Sequence, residues 1–262
     1  MFISGTRADF GKLKSLILRL QKNKNFKIFV FVTGMHLLQE YGMTWLELKY
    51  AKIKNVIKFN NQKFNTPEDQ IFANTINGFS KCLKNIKPDL VVVHGDRVEA
   101  LSAAVTSLLN NVSIAHIEGG EVSGTKDEII RHSISKLANF HFVSNKDAIK
   151  RLLQLGENRS NIFKIGSPEI DIFKSRDLPS LAKAKKKYSI NFNNYAILIY
   201  HPDTEEIRTL DKDINIILNS LLESKINYIV IHPNNDPGSN YILNAYKKFK
   251  KFDNFNFFPS MR

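Results

Sequence analysis

Residues 90–121 read LVVVHGDRVEALSAAVTSLLNNVSIAHIEGGE, and the fold is decided there. An apolar run of strand length ends at His94, the stretch 98–109 carries apolar residues at helical spacing, and a second short apolar run covers 113–117. A strand, a helix and a strand in this order form a βαβ unit with parallel strands. The same alternation continues on both sides. Strands are expected at 2–4, 26–33, 55–59, 140–143 and 162–165. A helix is expected over 8–21, with Leu13, Leu16, Leu18 and Leu20 recurring. Thr66-Pro67-Glu68-Asp69 opens another, to residue 85: a cap, a proline in the first turn, then acids beside the positive end of the helix dipole. Two more are expected at 127–138 and, capped by Ser144 or Asn145, up to 155.

Around 167–179 the pattern changes, and Pro168, Pro179 and the polar Lys174-Ser175-Arg176-Asp177 mark a linker. A second alternation follows, with helices at 183–188, 213–222 and 239–250 and strands at 195–200, 228–232 and 255–258. The expected architecture is α/β, with a Rossmann-like domain over 1–168 and a second, incomplete one over 178–262.

Composition bounds the function. A chain of 262 residues, 43% hydrophobic and 24% charged, has ample apolar material for one large or two small cores, which excludes disorder. The single Cys82 excludes an intrachain disulfide framework and is expected to pack. The formal charge is +13, but the lysines spread over many helix surfaces; the densest run, Lys183 with Lys185, Lys186 and Lys187, reads as a solvated helix face. No RRM, KH or zinc signature and no basic–aromatic stripe accompanies the charge, so nucleic acid is not an expected partner. The start MFISGTRADF is no targeting signal, and no apolar run approaches the ~18 residues of a membrane span; a cytosolic protein without a membrane partner is expected.

In open α/β sheets, ligands bind beyond the carboxyl ends of the strands. The residues expected there are rich in Gly, His, Asp, Glu and Arg. The segment from Gly5 to Lys12 is not a phosphate loop, because its glycine spacing is wrong and Leu13 stands where Ser or Thr should be. The turn can still serve an anion through backbone N–H groups and Arg7. Asp96, after a strand of Leu and Val, reads on its own first as a cap for the next helix. The loop 116–127 resists a purely structural reading: Gly119 and Gly120 permit a close backbone approach to a ligand, and Glu118, Glu121 and Asp127 gather acids suited to acid–base work. Arg131, four residues after Asp127, can pair with it. His201-Pro202 and His232-Pro233 end strands of the second domain. No spacing resembles a metal set.

Together, GTRADFGKL, HGDRVEA, HIEGGEVSGTKDEIIRH and YHPDT resemble, in order and spacing, the hydrolysing UDP-N-acetylglucosamine 2-epimerases of bacterial sialic-acid synthesis. The resemblance covers nearly the whole chain and implies two Rossmann-like domains of GT-B type with a UDP-sugar between them. It also implies elimination of UDP from UDP-N-acetylglucosamine and hydration of a glucal-type intermediate to give N-acetylmannosamine. Asp96, Glu118 and Asp127 match the family's catalytic carboxylates, with the roles of base and acid left open. Arg7 and His201 match positions near the diphosphate and uridine; Arg97, His116 and Arg131 are further candidates for holding the substrate. No cofactor is implied, and a homo-oligomer is implied at full length. Family members continue well beyond Arg262 into a serine- and glycine-rich phosphate loop, so a truncated chain with impaired turnover is the expectation. Two alternatives remain: relatives acting on UDP- or GDP-linked 2,4-diacetamido-trideoxyhexoses of the legionaminic acid pathway, and a non-catalytic nucleotide-sugar or RNA-binding module.

Overall fold

The structure is a computed structural model that describes residues 1–174, 178–202 and 206–261. Part of the expected linker (175–177), Asp203 and Thr204 of the YHPDT motif, and Arg262 lie outside the described residues. The chain divides into two compact units, residues 1–39 with 43–176 and residues 177–262 with 40–42.

The first unit is built on seven parallel strands: β1 (Phe2–Ser4), β2 (Val30–Val32), β3 (Val56–Lys58), β4 (Leu90–His94), β5 (Ser113–Ile117), β6 (Phe140–Val143) and β7 (Ile162–Lys164). Their order across the sheet is β3-β2-β1-β4-β5-β6-β7, so the winding reverses direction between β1 and β4. The helices are α1 (Arg7–Gln21), α2 (Leu46–Tyr50), α3 (Glu68–Ile86), α4 (Val98–Leu109), α5 (Lys126–Leu137), α6 (Lys146–Gln154) and α7 (Glu169–Phe173).

Strand alternation sends side chains to two cores. Ile3, Phe31, Val91, Val93 and Ile114 pack with Phe79 and Leu83 of α3, Ala103 of α4 and Ile134 of α5. Phe2, Val30, Val92, Ala115 and Ile117 pack on the other side with Phe10, Leu13 and Ile17 of α1. Each fully buried Leu or Ile of this kind contributes about 1.5–3 kcal/mol. Helices on both faces make the sheet doubly wound.

One expected strand shrinks. The apolar run at 26–33 forms β2 only over Val30–Val32, because β1 offers just three residues to pair with, Phe2 to Val30 through Ser4 to Val32. Ahead of the paired stretch, Phe26 is exposed.

The second unit has α8 (Leu181–Lys187), β8 (Ala196–Ile199), α9 (Leu210–Glu223), β9 (Tyr228–Ile231), α10 (Ser239–Phe249) and β10 (Phe255–Phe258). Its three parallel strands run in the order β10-β9-β8. Tyr228, Val230 and Phe255 pack against Ile214 and Leu218 of α9 and Ile242 and Tyr246 of α10. On the other face of β8, Ile197 and Ile199 are exposed. Among the described residues, no helix is long and apolar enough to cross a membrane.

Candidate functional site

The site lies at the carboxyl rim of the first sheet and begins with the turn from β1 into α1. Thr6 caps α1: its hydroxyl accepts from the Asp9 N–H at 3.2 Å, and Asp9 Oδ2 accepts from the Thr6 and Gly5 N–H groups at 2.9 and 3.1 Å. This reciprocal pair satisfies donors that the helix start would leave orphaned. It also aims the other Asp9 oxygen, Oδ1, at His94 Nδ1, 3.2 Å away at the end of β4.

The second ring nitrogen of His94 lies 2.9 Å from Glu118 Oε2. Glu118 follows β5, beside β4 in the sheet, and has left-handed backbone (φ 59°) that a non-glycine residue adopts at a cost. Its carboxylate is surrounded by donors that offset the cost. Lys12 Nζ reaches both oxygens at 3.0 and 2.8 Å, Ser167 Oγ donates to Oε1 at 2.8 Å, and Ser144 Oγ lies 3.4 Å from the same oxygen. Lys12 also stands 3.5 Å from Glu169.

The electrostatics follow from these contacts. Burial opposes the charge of Glu118, but the His94 hydrogen bond, then Lys12, outweigh it and lower its pKa to about 2. Burial likewise opposes the charged ring of His94, and hydrogen bonds to Asp9 and Glu118 overcome it, raising the pKa to about 9. Asp9, for which burial works against the charge, is held below its usual range by His94.

A second cluster adjoins the first. Arg131, on α5, is ion-paired with Asp96 and donates to the Glu121 carbonyl at 2.9 Å. Spacing alone offered Asp127 as the partner of Arg131; the tertiary fold supplies Asp96, 35 positions away in sequence. Asp96 therefore does not cap α4, whose N-cap is Arg97. Asp127 sits in the first turn of α5, one turn before Arg131 and on the same helix face.

The remaining expected residues fall in different places. Arg7 is half-buried at the start of α1. Arg97 Nε is 4.0 Å from Glu99, a wholly buried carboxyl whose pKa burial pushes up. His116, read as a substrate-holding residue, is placed differently. It is fully buried, with Nε2 2.8 Å from the Gly95 carbonyl and Nδ1 3.0 Å from Ser135 Oγ, and burial lowers its pKa to about 3. It supports the rim from beneath. In the loop, a side chain on Gly119 would sit 2.7 Å from His116 Nδ1, and one on Gly120 2.6 Å from the Ala148 carbonyl. Both positions need glycine for their own packing against the protein. His201, in the second unit, is exposed, and its Nδ1 accepts from the Asn234 N–H at 3.1 Å.

The model of the family described as UDP-N-acetylglucosamine 2-epimerase matches residues 18–262. The chain belongs to that family. A UDP-N-acetylglucosamine 2-epimerase of Neisseria meningitidis serogroup B is 42% identical over 99% of this chain and 69% of the relative. A GDP/UDP-N,N'-diacetylbacillosamine 2-epimerase (hydrolyzing) of Campylobacter jejuni is 35% identical over 84% of this chain and 58% of its own length. The fold matches a crystal structure of a Neisseria meningitidis UDP-GlcNAc 2-epimerase bound to UDP-GlcNAc with a TM-score of 0.79, at 22% identity, over 98% of this chain and 71% of that one.

Within this family chain, sequence reading left four rim side chains out of the site: Asp9, Lys12, Ser144 and Ser167, and it gave His94 no role. All five lie near the carboxyl end of a strand: Asp9 and Lys12 in the first two turns of α1 after β1, His94 as the last residue of β4, Ser144 just after β6 and Ser167 between β7 and α7. That position was the available signal. Among the described residues, no group of three or more His, Cys, Asp or Glu side chains could hold a metal ion.

Proposed function

We propose that this chain carries the chemistry of a hydrolysing UDP-N-acetylglucosamine 2-epimerase. The observation that carries the reading is the gathering of acids at one rim. Asp96 and Glu118 follow neighbouring strands, and Asp127 shares a helix face with the arginine that holds Asp96. The high identity to the Neisseria meningitidis relative supports UDP-N-acetylglucosamine as the substrate.

In this reading one of the three carboxylates takes the C2 proton. The C1–O bond breaks, UDP leaves with its electron pair, and a C1–C2 double bond remains. Water then adds at C1, and a proton returns to C2 from the opposite face, giving free N-acetylmannosamine. A C2–H beside an acetamido group is weakly acidic, so a positioned base is required; such acid–base help contributes about 10²–10⁴-fold per group. The departing diphosphate needs cations, which Arg7, Arg97 and Lys12 supply, and His201 is a further candidate for holding the nucleotide. Arg131 orients Asp96, and His116 holds the Gly95 turn.

The test is turnover of UDP-N-acetylglucosamine in deuterium oxide, with the products weighed. Release of UDP and of free N-acetylmannosamine carrying one deuteron at C2 is the expected result. An epimerised sugar still joined to UDP would overturn the hydrolytic reading. The Campylobacter jejuni relative motivates a second substrate, a UDP- or GDP-linked diacetamido sugar. Faster turnover of that nucleotide sugar in the same assay would replace the first.

A further inference from the structure

Among the catalytic carboxylates of the proposed reaction, Glu118 is unusual in what stands behind it. His94 touches two acids at once, Asp9 through Nδ1 at 3.2 Å and Glu118 through Nε2 at 2.9 Å. Both acids act as acceptors elsewhere. Asp9 Oδ2 receives two backbone N–H groups, and Glu118 receives Lys12 and Ser167. Two ionised carboxylates can be satisfied by one ring only if both its nitrogens carry protons. The ring is largely buried, with 10% of its side-chain surface exposed. A neutral ring there would face one carboxylate with a lone pair, in surroundings where unpaired charge is costly.

Resting on the reading above, we infer that His94 is a positioning residue: as an imidazolium bridging Asp9 and Glu118, it ties the capped turn Gly5-Thr6 to the Glu118 carboxylate and fixes that carboxylate's orientation. The bridge links three elements. Asp9 belongs to α1, His94 ends β4 and Glu118 follows β5. It explains why Glu118 tolerates left-handed backbone: the residue is held from its side chain. Other charged and titratable groups acting on this assembly are Lys12 on Glu118, Glu169 on Lys12, Arg97, His36 and Glu99 on Asp9, and neutral His116 beside His94. Among the described residues, it is the ring of His94 that contacts both Asp9 and Glu118. The elevated pKa of His94, about 9, agrees with the geometry.

The first experiment needs no substrate. Nitrogen-15 NMR of histidine-labelled protein, with the His94 signal assigned by its loss in His94→Asn, should show both ring nitrogens protonated at pH 7.5 and titration only near pH 9. A ring that titrates near its ordinary value of about 6.5 overturns the inference, whatever the enzyme does. The second experiment reads UDP release. His94→Gln places its side-chain carbonyl or its amide against one of two acids, but cannot donate to both; kcat should fall about tenfold or more, part of the 10²–10⁴ a positioned group contributes, with KM within about threefold. Its acid limb should move upward as Glu118 loses its charged neighbour. Adding Asp9→Asn to His94→Gln rebuilds a neutral chain of donors and acceptors, so kcat should recover in part while the shifted acid limb stays. A double variant no better than His94→Gln, or an unchanged acid limb in both, overturns the positioning role. Absence of wild-type UDP release would count against the proposed reaction, while the NMR result would still decide the state of His94.

Discussion

The two units punctuate their strands alike and use the punctuation differently. In the first, the histidine that ends β4 is gripped by acids from α1 and from beyond β5, and it is almost wholly enclosed. In the second, His201, just past β8, is exposed and accepts only a backbone N–H from Asn234 among the described residues. The difference teaches what converts a polar rim residue into part of a charged network. Seven strands and helices on both faces bring complementary charges from distant segments around each strand end. Three strands with a bare face on β8 leave the rim side chain to solvent, where it is available to a ligand.

The sharpest way to break this comparison is kinetic. Glu118→Gln should lower UDP release by about 10²–10⁴ with an unchanged circular dichroism spectrum. His201→Ala should raise KM about tenfold, the equivalent of one lost contact of ~1.4 kcal/mol, and change kcat little. Equal losses of kcat at both positions would erase the asymmetry.

The next effect is on stability. Arg131→Met leaves Asp96 without its cation and should cost about 3 kcal/mol in urea unfolding. Combining it with Asp96→Asn should recover part of that loss, because the stranded charge is gone.

The pH dependence sharpens the picture of the first unit. His94, raised to about 9, stabilises the fold fully below its unfolded value of 6.5, and this contribution fades as pH rises through 9. Glu118, lowered to about 2, contributes above 4.5 and loses that contribution as pH falls toward 2. His36 and His116, lowered by burial to about 4 and 3, contribute above 6.5 and lose it as the medium turns acidic. Tm should therefore peak near pH 6.5 and fall on both sides. In His94→Asn the alkaline fall should be smaller, as differential scanning calorimetry across pH 4–10 would show.

The smallest expected effect contrasts two strands. Ile199→Thr, on the exposed face of β8, should change stability by no more than about 0.5 kcal/mol. Val93→Thr, fully buried in β4, should cost about 1–3 kcal/mol through a hydroxyl in an apolar core. Similar costs at both would show that the β8 face is covered in solution.

Sequence by itself determined the parallel α/β architecture, because short-range periodicity is enough to mark it. The elements 90–94, 98–109, 113–117, 140–143 and 255–258 occur as β4, α4, β5, β6 and β10 with those bounds. It also pointed to the strand ends and the acidic loop, since chemistry-bearing residue types crowd there. Only the tertiary structure decided that Arg131 pairs with Asp96, that His116 lies beneath the rim, and that Glu118 meets Lys12 across 106 positions and His94 across 24. Those partners are chosen by strand order and by the facing ends of separate βα turns. Periodicity along one element carries no information about which distant turn will stand beside it, and charge pairing is settled by that adjacency.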